Sequence, residues 1–281
     1  MSWLYVNNVN KRYGNKKIIN NISFTAESGI TLLYGNNGSG KSTIISMLEG
    51  LTNIDSGNIN ILGYNPFKNY MEIMKNIAFI PERPSYFISS KISEFVNYYL
   101  SINNINKSNF MDYIKLFGIE NIMHENFSSL SLGESKLMGL SLAFSGKPKF
   151  MVLDEPTEGI DINKRMIIYG ILSDMKDNGT RILITTHEIN EIEDIIEKIV
   201  YLKNGKVVNS CNFRTLFYNS NIINIKSMNL TSIEKKLRSY DIDIENNVIK
   251  VYNMNIDNLI SLLTNNELKD ITSIEVLPYD I

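Results

Sequence analysis

A single cysteine, Cys211, stands among 281 residues. No intrachain disulfide can form, so packing alone must hold the core, and a reducing compartment suits the chain. No apolar run approaches the roughly 20 residues that span a bilayer. A secretory leader is missing too: Met1-Ser2-Trp3-Leu4-Tyr5-Val6 is soon interrupted by Asn7-Asn8. Basic excess is absent, with 28 Lys and Arg against 30 Asp and Glu for a net charge of −2. That removes the electrostatic case for binding nucleic acid. There is no internal repeat and no low-complexity tract. These absences leave a soluble chain, or one held at a membrane through a partner.

What is present is apolar mass and one dense glycine-rich motif. Hydrophobic residues make up 43% of the chain, enough for one large domain plus a small one. Gly35-Asn36-Asn37-Gly38-Ser39-Gly40-Lys41-Ser42-Thr43 matches the phosphate-binding pattern G-x-x-x-x-G-K-[ST] at every fixed position. Glycines let the backbone curl until successive N–H groups converge on one anion. Lys41 supplies a fixed cation for the β- and γ-phosphates of a nucleotide, and Ser42 a hydroxyl for Mg²⁺. Ile30 to Tyr34 reads as a buried strand leading in. Ile44 to Leu48 reads as a helix leading out, its positive end on the anion site.

Elsewhere the periodicity changes by region. Trp3 to Ile61 alternates in short strand-like runs, and Ile77 to Ile80 is a strand ended by Pro81. From Lys91 to Met123 the spacing turns helical: Ile92, Phe95, Val96, Tyr99 and Leu100, then Phe110, Tyr113, Ile114 and Phe117. Asn163 to Lys176 reads as a helix stopped by Asn178-Gly179. Arg181 to Thr185 reads as a buried strand, and Asn204-Gly205 as a hairpin turn. From about Asn219 the order is strand, helix, strand, strand, helix, strand, at 222–226, 231–240, 242–244, 248–252, 256–263 and 271–277. That is the β-α-β-β-α-β ferredoxin-like arrangement; the bland alternative is an irregular, partly helical tail.

Phe150-Met151-Val152-Leu153-Asp154-Glu155 is an apolar strand ending in two carboxylates. Alone, such acids could be a solvated turn. Beside a phosphate loop they gain a chemical meaning: Asp154 near Mg²⁺, Glu155 facing a water in line with the γ-phosphate. This strand is expected directly beside the one feeding the loop.

Between loop and acidic strand lies Leu130-Ser131-Leu132-Gly133-Glu134. With it the chain resembles the ATP-binding subunit of ABC transporters, in an export-type branch. The resemblance covers about Met1 to Phe213. It implies a P-loop NTPase cassette of α/β class over 1–213, with a helical subdomain at about 84–145. The small α+β ferredoxin-like domain follows at 219–281. It implies ATP and Mg²⁺ as ligands, and ATP hydrolysis coupled to transport. Tyr13, within Val9-Asn10-Lys11-Arg12-Tyr13-Gly14, resembles the adenine-stacking aromatic; as a bare residue it reads as a packed tyrosine. The phosphate loop is Gly35, Asn36, Asn37, Gly38, Ser39, Gly40, Lys41, Ser42 and Thr43. The resemblance implies that Glu155 and His187 carry hydrolysis and that Ser42, Glu82 and Asp154 face the metal. Ser131, Leu132, Gly133 and Glu134 resemble the signature that closes on the nucleotide of another protomer. Asp161, in Thr157-Glu158-Gly159-Ile160-Asp161, belongs to the loop communicating between the two sites. His124 has no such context and reads as a surface or packing residue.

The chain departs from the pattern in four places, one of them Glu158, which replaces the usual serine ahead of Gly159-Ile160-Asp161. Glu82 stands where Gln is usual, adding negative charge near the metal. The signature ends in Glu134 instead of Gln. Ser135-Lys136-Leu137 lacks the usual Arg, which leaves the contacts of that helix open. The resemblance implies transmembrane permease subunits and a second ATP-binding subunit as partners, no nucleic acid, and a peripheral place on the cytoplasmic face of the cell membrane. Residues 83–90, with Tyr86 and Phe87, together with the helices up to Met123, are the expected permease contact. The transported substrate is expected among drugs, antimicrobial peptides or lipids. The competing reading is a soluble ABC-type ATPase of translation or DNA repair. It is disfavoured by the lack of a second cassette, of a long coiled-coil insertion and of a basic surface.

Overall fold

The computed structural model describes residues 2–84, 91–213, 221–245, 247–252, 254 and 256–278. The loop part of the expected permease contact, including Tyr86 and Phe87, therefore falls largely outside the described residues, while its helical part up to Met123 is described. The chain divides into two compact units, Met1–Ser210 and Cys211–Ile281.

Two sheets build the first unit. Strands β1 (Leu4–Tyr13), β2 (Lys16–Ala26) and β4 (Ser56–Ile61) pair antiparallel in the order β2-β1-β4. The second sheet contains β3 (Ile30–Tyr34), β5 (Ile77–Ile80), β6 (Phe150–Asp154), β7 (Arg181–Thr185), β8 (Ile196–Lys203) and β9 (Lys206–Asn212), ordered β5-β6-β7-β3-β8-β9. Its pairings β5–β6, β6–β7, β7–β3 and β3–β8 are parallel. The strand order corrects the expectation that the acidic strand adjoins the loop strand: β7 lies between β6 and β3. The Asn204-Gly205 turn has φ of 51° and 71°, both left-handed, as the tight hairpin between β8 and β9 requires. Only glycine fits at 205, because a Cβ there would meet the Ile18 carbonyl oxygen at 2.0 Å.

Helix α1 (Lys41–Leu48) joins the two sheets. Ile44, Ile45, Met47 and Leu48 share one buried cluster with Trp3, Ile22 and Ile59 of the antiparallel sheet side and Leu33, Val152, Leu183 and Val200 of the parallel one. At about 1.5–3 kcal/mol per buried apolar side chain, this helix is fixed firmly. The glycine-rich loop before it is therefore held on a rigid base. α2 (Tyr70–Met74) is a short helix ahead of β5.

The helical segment contains α3 (Ile92–Ile102), α4 (Lys107–Leu116) and α5 (Leu132–Ser145). Ile92, Val96 and Leu100 are buried at i, i+4 spacing, as are Phe110 and Ile114. Every residue of α5 from Lys136 to Ser145 is buried. A helix buried all round is the spine of its surroundings. α6 (Ile162–Asp177) follows the acidic strand and ends at Asn178.

The second unit has β10 (Asn221–Ser227), α7 (Leu230–Leu237), β11 (Ile242–Glu245), β12 (Val248–Tyr252), α8 (Ile256–Leu262), α9 (Asn265–Asp270) and β13 (Ile271–Pro278). Its sheet is antiparallel throughout, ordered β11-β12-β10-β13. This is the split β-α-β arrangement expected of a ferredoxin-like unit. Ile223, Ile225, Ile249 and Val251 pack with Ile233, Leu237 and Leu259 of the helices. One helix limit differs from expectation: α7 ends at Leu237, short of Tyr240, while α8 ends at Leu262, within a residue of the expected limit. The sequence reading has no counterpart for α9, which Thr264 caps in a reciprocal box with Glu267.

Candidate active site

The turn at Gly35 to Gly40 is set by close approach. A Cβ on Gly35 would lie 2.3 Å from the Leu202 carbonyl oxygen, and one on Gly40 would lie 2.6 Å from Ile19 Cδ1. Gly40 also sits at φ 112°, where other residues are strained. The loop is pinned by Ser39 N–H to the Asn36 carbonyl (3.0 Å) and by Gly205 N–H to the Ser39 carbonyl (3.0 Å). Gly40 gives α1 no side-chain cap, and the first turn carries no acid. The first N–H groups of α1 lack intrahelical partners by geometry, and with the buried, unpartnered Ser39 hydroxyl they form a cradle suited to an anion.

Lys41 is buried, and its ammonium donates to the Gly35 carbonyl at 2.5 Å. Burial lowers its pKa, while Glu155, Asp154 and Glu82 pull it back up. Such a cation, held on a backbone oxygen and short of charge partners, fits an incoming phosphate.

Asp154 and Glu155 end β6 and share one organiser, Thr185, at the end of β7. The Thr185 hydroxyl donates to Asp154 Oδ1 at 2.5 Å and accepts the Glu155 N–H at 2.9 Å. Burial raises the pKa of Asp154, and the negative Glu82 adds to the rise. Glu155 adopts φ 45°, a left-handed conformation that costs a non-glycine residue about 1–3 kcal/mol. That turn aims its carboxylate at His187. His187 N–H donates to Oε2 at 3.3 Å, and its Nε2 lies 3.2 Å from Oε1. Burial raises the pKa of Glu155, opposed by His187 and Lys41.

One cleft of about 370 Å³ collects Asn37, Lys41, Ser42, Glu82, Asp154 and Glu155 with His187. Of the groups lining it, the Glu82 and Asp154 carboxylates and the Ser42 hydroxyl match the donors that Mg²⁺ takes from protein when phosphates complete its shell. A cation there would also relieve the charge that Glu82 imposes on Asp154. Glu158 and Gly159 line this cleft as well.

The other expected residues lie outside the cleft lining. Tyr13 is 52% exposed at the end of β1, with the Lys11 ammonium 5.4 Å from its ring centre. Ser131 caps α5. Its hydroxyl donates to Glu134 Oε2 at 2.7 Å and accepts the Glu134 N–H at 3.3 Å. The Ser131 hydroxyl and the Ser131 N–H (2.9 Å), both donating to the carboxylate, hold the Glu134 pKa down. Gly133 sits tight against the loop after the acids, for a Cβ on it would meet the Gly159 carbonyl oxygen at 2.7 Å. Asp161 caps α6 by accepting the Lys164 N–H at 3.1 Å.

Sequence reasoning missed three residues here. Thr185 organises both acids. Arg165 lines the cleft and pairs with Glu191 at 2.9 Å. Lys136, left open as a departure from the pattern, is fully buried and donates to the Glu155 carbonyl oxygen at 2.7 Å. None has a local pattern that would reveal it; each depends on segments brought together by the fold.

Residues 19–158 match the family model described as "ABC transporter". The chain is 31% identical over 209 residues to the bacitracin transport ATP-binding protein BcrA of Bacillus licheniformis, covering 72% of this chain and 67% of that one. The chain belongs to the ABC transporter family. It is 32% identical over 206 residues to ABC transporter G family member 20 of Dictyostelium discoideum, covering 72% of this chain but only 28% of that much longer protein. A solved structure of the ATP-binding subunit of an ABC transporter superposes with a TM-score of 0.70 at 20% identity. That match covers 93% of this chain and 99% of the other, so it supports the fold of both units. As an ABC cassette, this chain binds ATP and hydrolyses it to power transport. Membrane subunits are implied as its partners. Among the described residues, no helix is long and apolar enough to cross a membrane.

Proposed function

We propose that the cleft at the end of β6 is the hydrolytic site, with the roles divided by geometry. Lys41 and the first turn of α1 hold the phosphates. Ser42 and Asp154 hold Mg²⁺, with Glu82 adding charge beside them. Glu155 takes a proton from the attacking water, and His187 orients the γ-phosphate end. Tyr13, open to solvent, offers its ring to adenine. Ser131, Leu132, Gly133 and Glu134 serve the nucleotide of a second ATP-binding subunit, so that two ATP molecules are sandwiched in a dimer. Asp161 lies in the loop linking the two sites. The observation that carries the reading is the cleft itself: residues from 37 to 188 meet within about 370 Å³.

The similarity to a protein named for bacitracin transport supports an exporter. Drugs, antimicrobial peptides or lipids are the candidate substrates, and the cytoplasmic face of the membrane is the place of action. The Cys211–Ile281 unit is an accessory module. Lys41→Ala tests the site: MgATP affinity falls at least about 10-fold, because the triphosphate loses its nearest fixed cation. Unchanged affinity, read by equilibrium binding of a fluorescent ATP analogue, contradicts the assignment.

A further inference from the structure

Lys136 is the most anomalous side chain of the first unit. It is fully buried in the helix that begins at the signature, and lysine is almost never buried without a partner. Its ammonium reaches the end of the acidic strand, donating to the Glu155 carbonyl oxygen at 2.7 Å and pairing with Glu158 at 3.3 Å. The residue it grips is the one held at φ 45°. A left-handed residue persists only where its surroundings over-determine it. Here Thr185 fixes the N–H side of Glu155 and Lys136 fixes the carbonyl side.

We propose that Lys136 is a positioning residue for hydrolysis: it holds the Glu155 backbone so that the carboxylate meets His187, and thereby ties the signature helix to the catalytic carboxylate of the same subunit. The inference rests on the assignment of Glu155 as general base. Lys136 touches no nucleotide in this account and acts only through Glu155. Glu158, 51% exposed, completes the ammonium's partners from the cleft side, so its loss matters less than the loss of Lys136.

The test compares Lys136→Met, Lys136→Arg and Glu155→Gln in the full chain by steady-state ATPase kinetics, fluorescent-nucleotide binding and thermal melting. Lys136→Met is expected to lower kcat about 10-fold or more, with ATP affinity within about twofold. Lys136→Arg, which keeps a cationic donor, recovers part of the loss. In the Glu155→Gln background, Lys136→Met changes the residual single-turnover rate by less than about twofold, because the residue acts through the group already removed. Near-normal kcat in Lys136→Met, beside a disabled Glu155→Gln, overturns the proposal and leaves the general-base assignment standing. Full turnover in Glu155→Gln overturns that assignment instead. If Lys136→Met does not fold, Lys136→Arg alone decides: ATP binding preserved with kcat reduced supports positioning, and kcat and KM both unchanged refutes a role that depends on amine geometry.

Discussion

Residue by residue, the site is a set of buried charges that lack full partners. Lys41 leans on a carbonyl, Asp154 on a threonine hydroxyl, and Glu155 on His187. Each is an arrangement that a phosphate or a cation would improve. The phosphate loop was legible in the sequence because its requirements are local: glycines where the chain curls, lysine and hydroxyl at the helix start. Thr185, Arg165 and Lys136 were not, since their partners come from segments 19 to 31 residues away or from another element. A further acid, the half-buried Glu49, caps the C-terminal end of α1. Burial, with Asp154 nearby, pushes the Glu49 carboxyl up to about 7. Its folded pKa exceeds the ordinary value of 4.5, so its favourable contribution is complete below pH 4.5 and is lost as pH rises through 7. Glu49→Gln is therefore expected to raise Tm relative to the parent at pH 8, with little difference at pH 4.5. Melting curves across that range check the sign, and a gain confined to low pH contradicts it.

Among the elements, the junction between α5 and the loop after β6 is a tight constraint. The sequence spacing Ser131-x-x-Glu134 is a capping-box pattern, and the structure forms both of its bonds. The carboxylate of Glu134 thus sits on the helix end where the resemblance places an incoming phosphate. Gly133 is needed because its Cα faces the Gly159 carbonyl. Gly133→Ala is expected to force that contact apart, costing about 1–3 kcal/mol and lowering ATPase activity. Chemical denaturation beside a turnover assay measures both; unchanged stability means that the loop yields freely. The strand order was less legible than the strands. An apolar run followed by two acids identifies β6 as a buried strand, but nothing in it says that β7 intervenes before β3. Neighbour order is set by crossovers. In the second unit the short helix after Thr264 was not read from the sequence, although Thr264 and Glu267 stand at capping-box spacing.

At the scale of the molecule, two units divide the work. Every residue lining the cleft lies between Asn37 and Glu188, within Met1–Ser210, while Cys211–Ile281 has its own sheet and its own buried cluster. A chain truncated after Tyr218 is expected to keep MgATP binding and basal hydrolysis. Unfolding or loss of binding in the truncated chain, seen by melting and nucleotide titration, would show that the second unit is part of the catalytic core.

The central claim is that Glu155 drives hydrolysis of ATP held between two subunits. It is tested most directly by sedimentation of Glu155→Gln with and without MgATP, alongside its steady-state ATPase rate. Removing a general base costs typically ~10²–10⁴-fold in rate, while the phosphate loop and metal ligands stay intact. The expected result is a variant that binds ATP, turns over at least about 100-fold more slowly, and sediments as a dimer only when MgATP is present. A variant that hydrolyses ATP at the parental rate, or remains monomeric with saturating MgATP, contradicts the account.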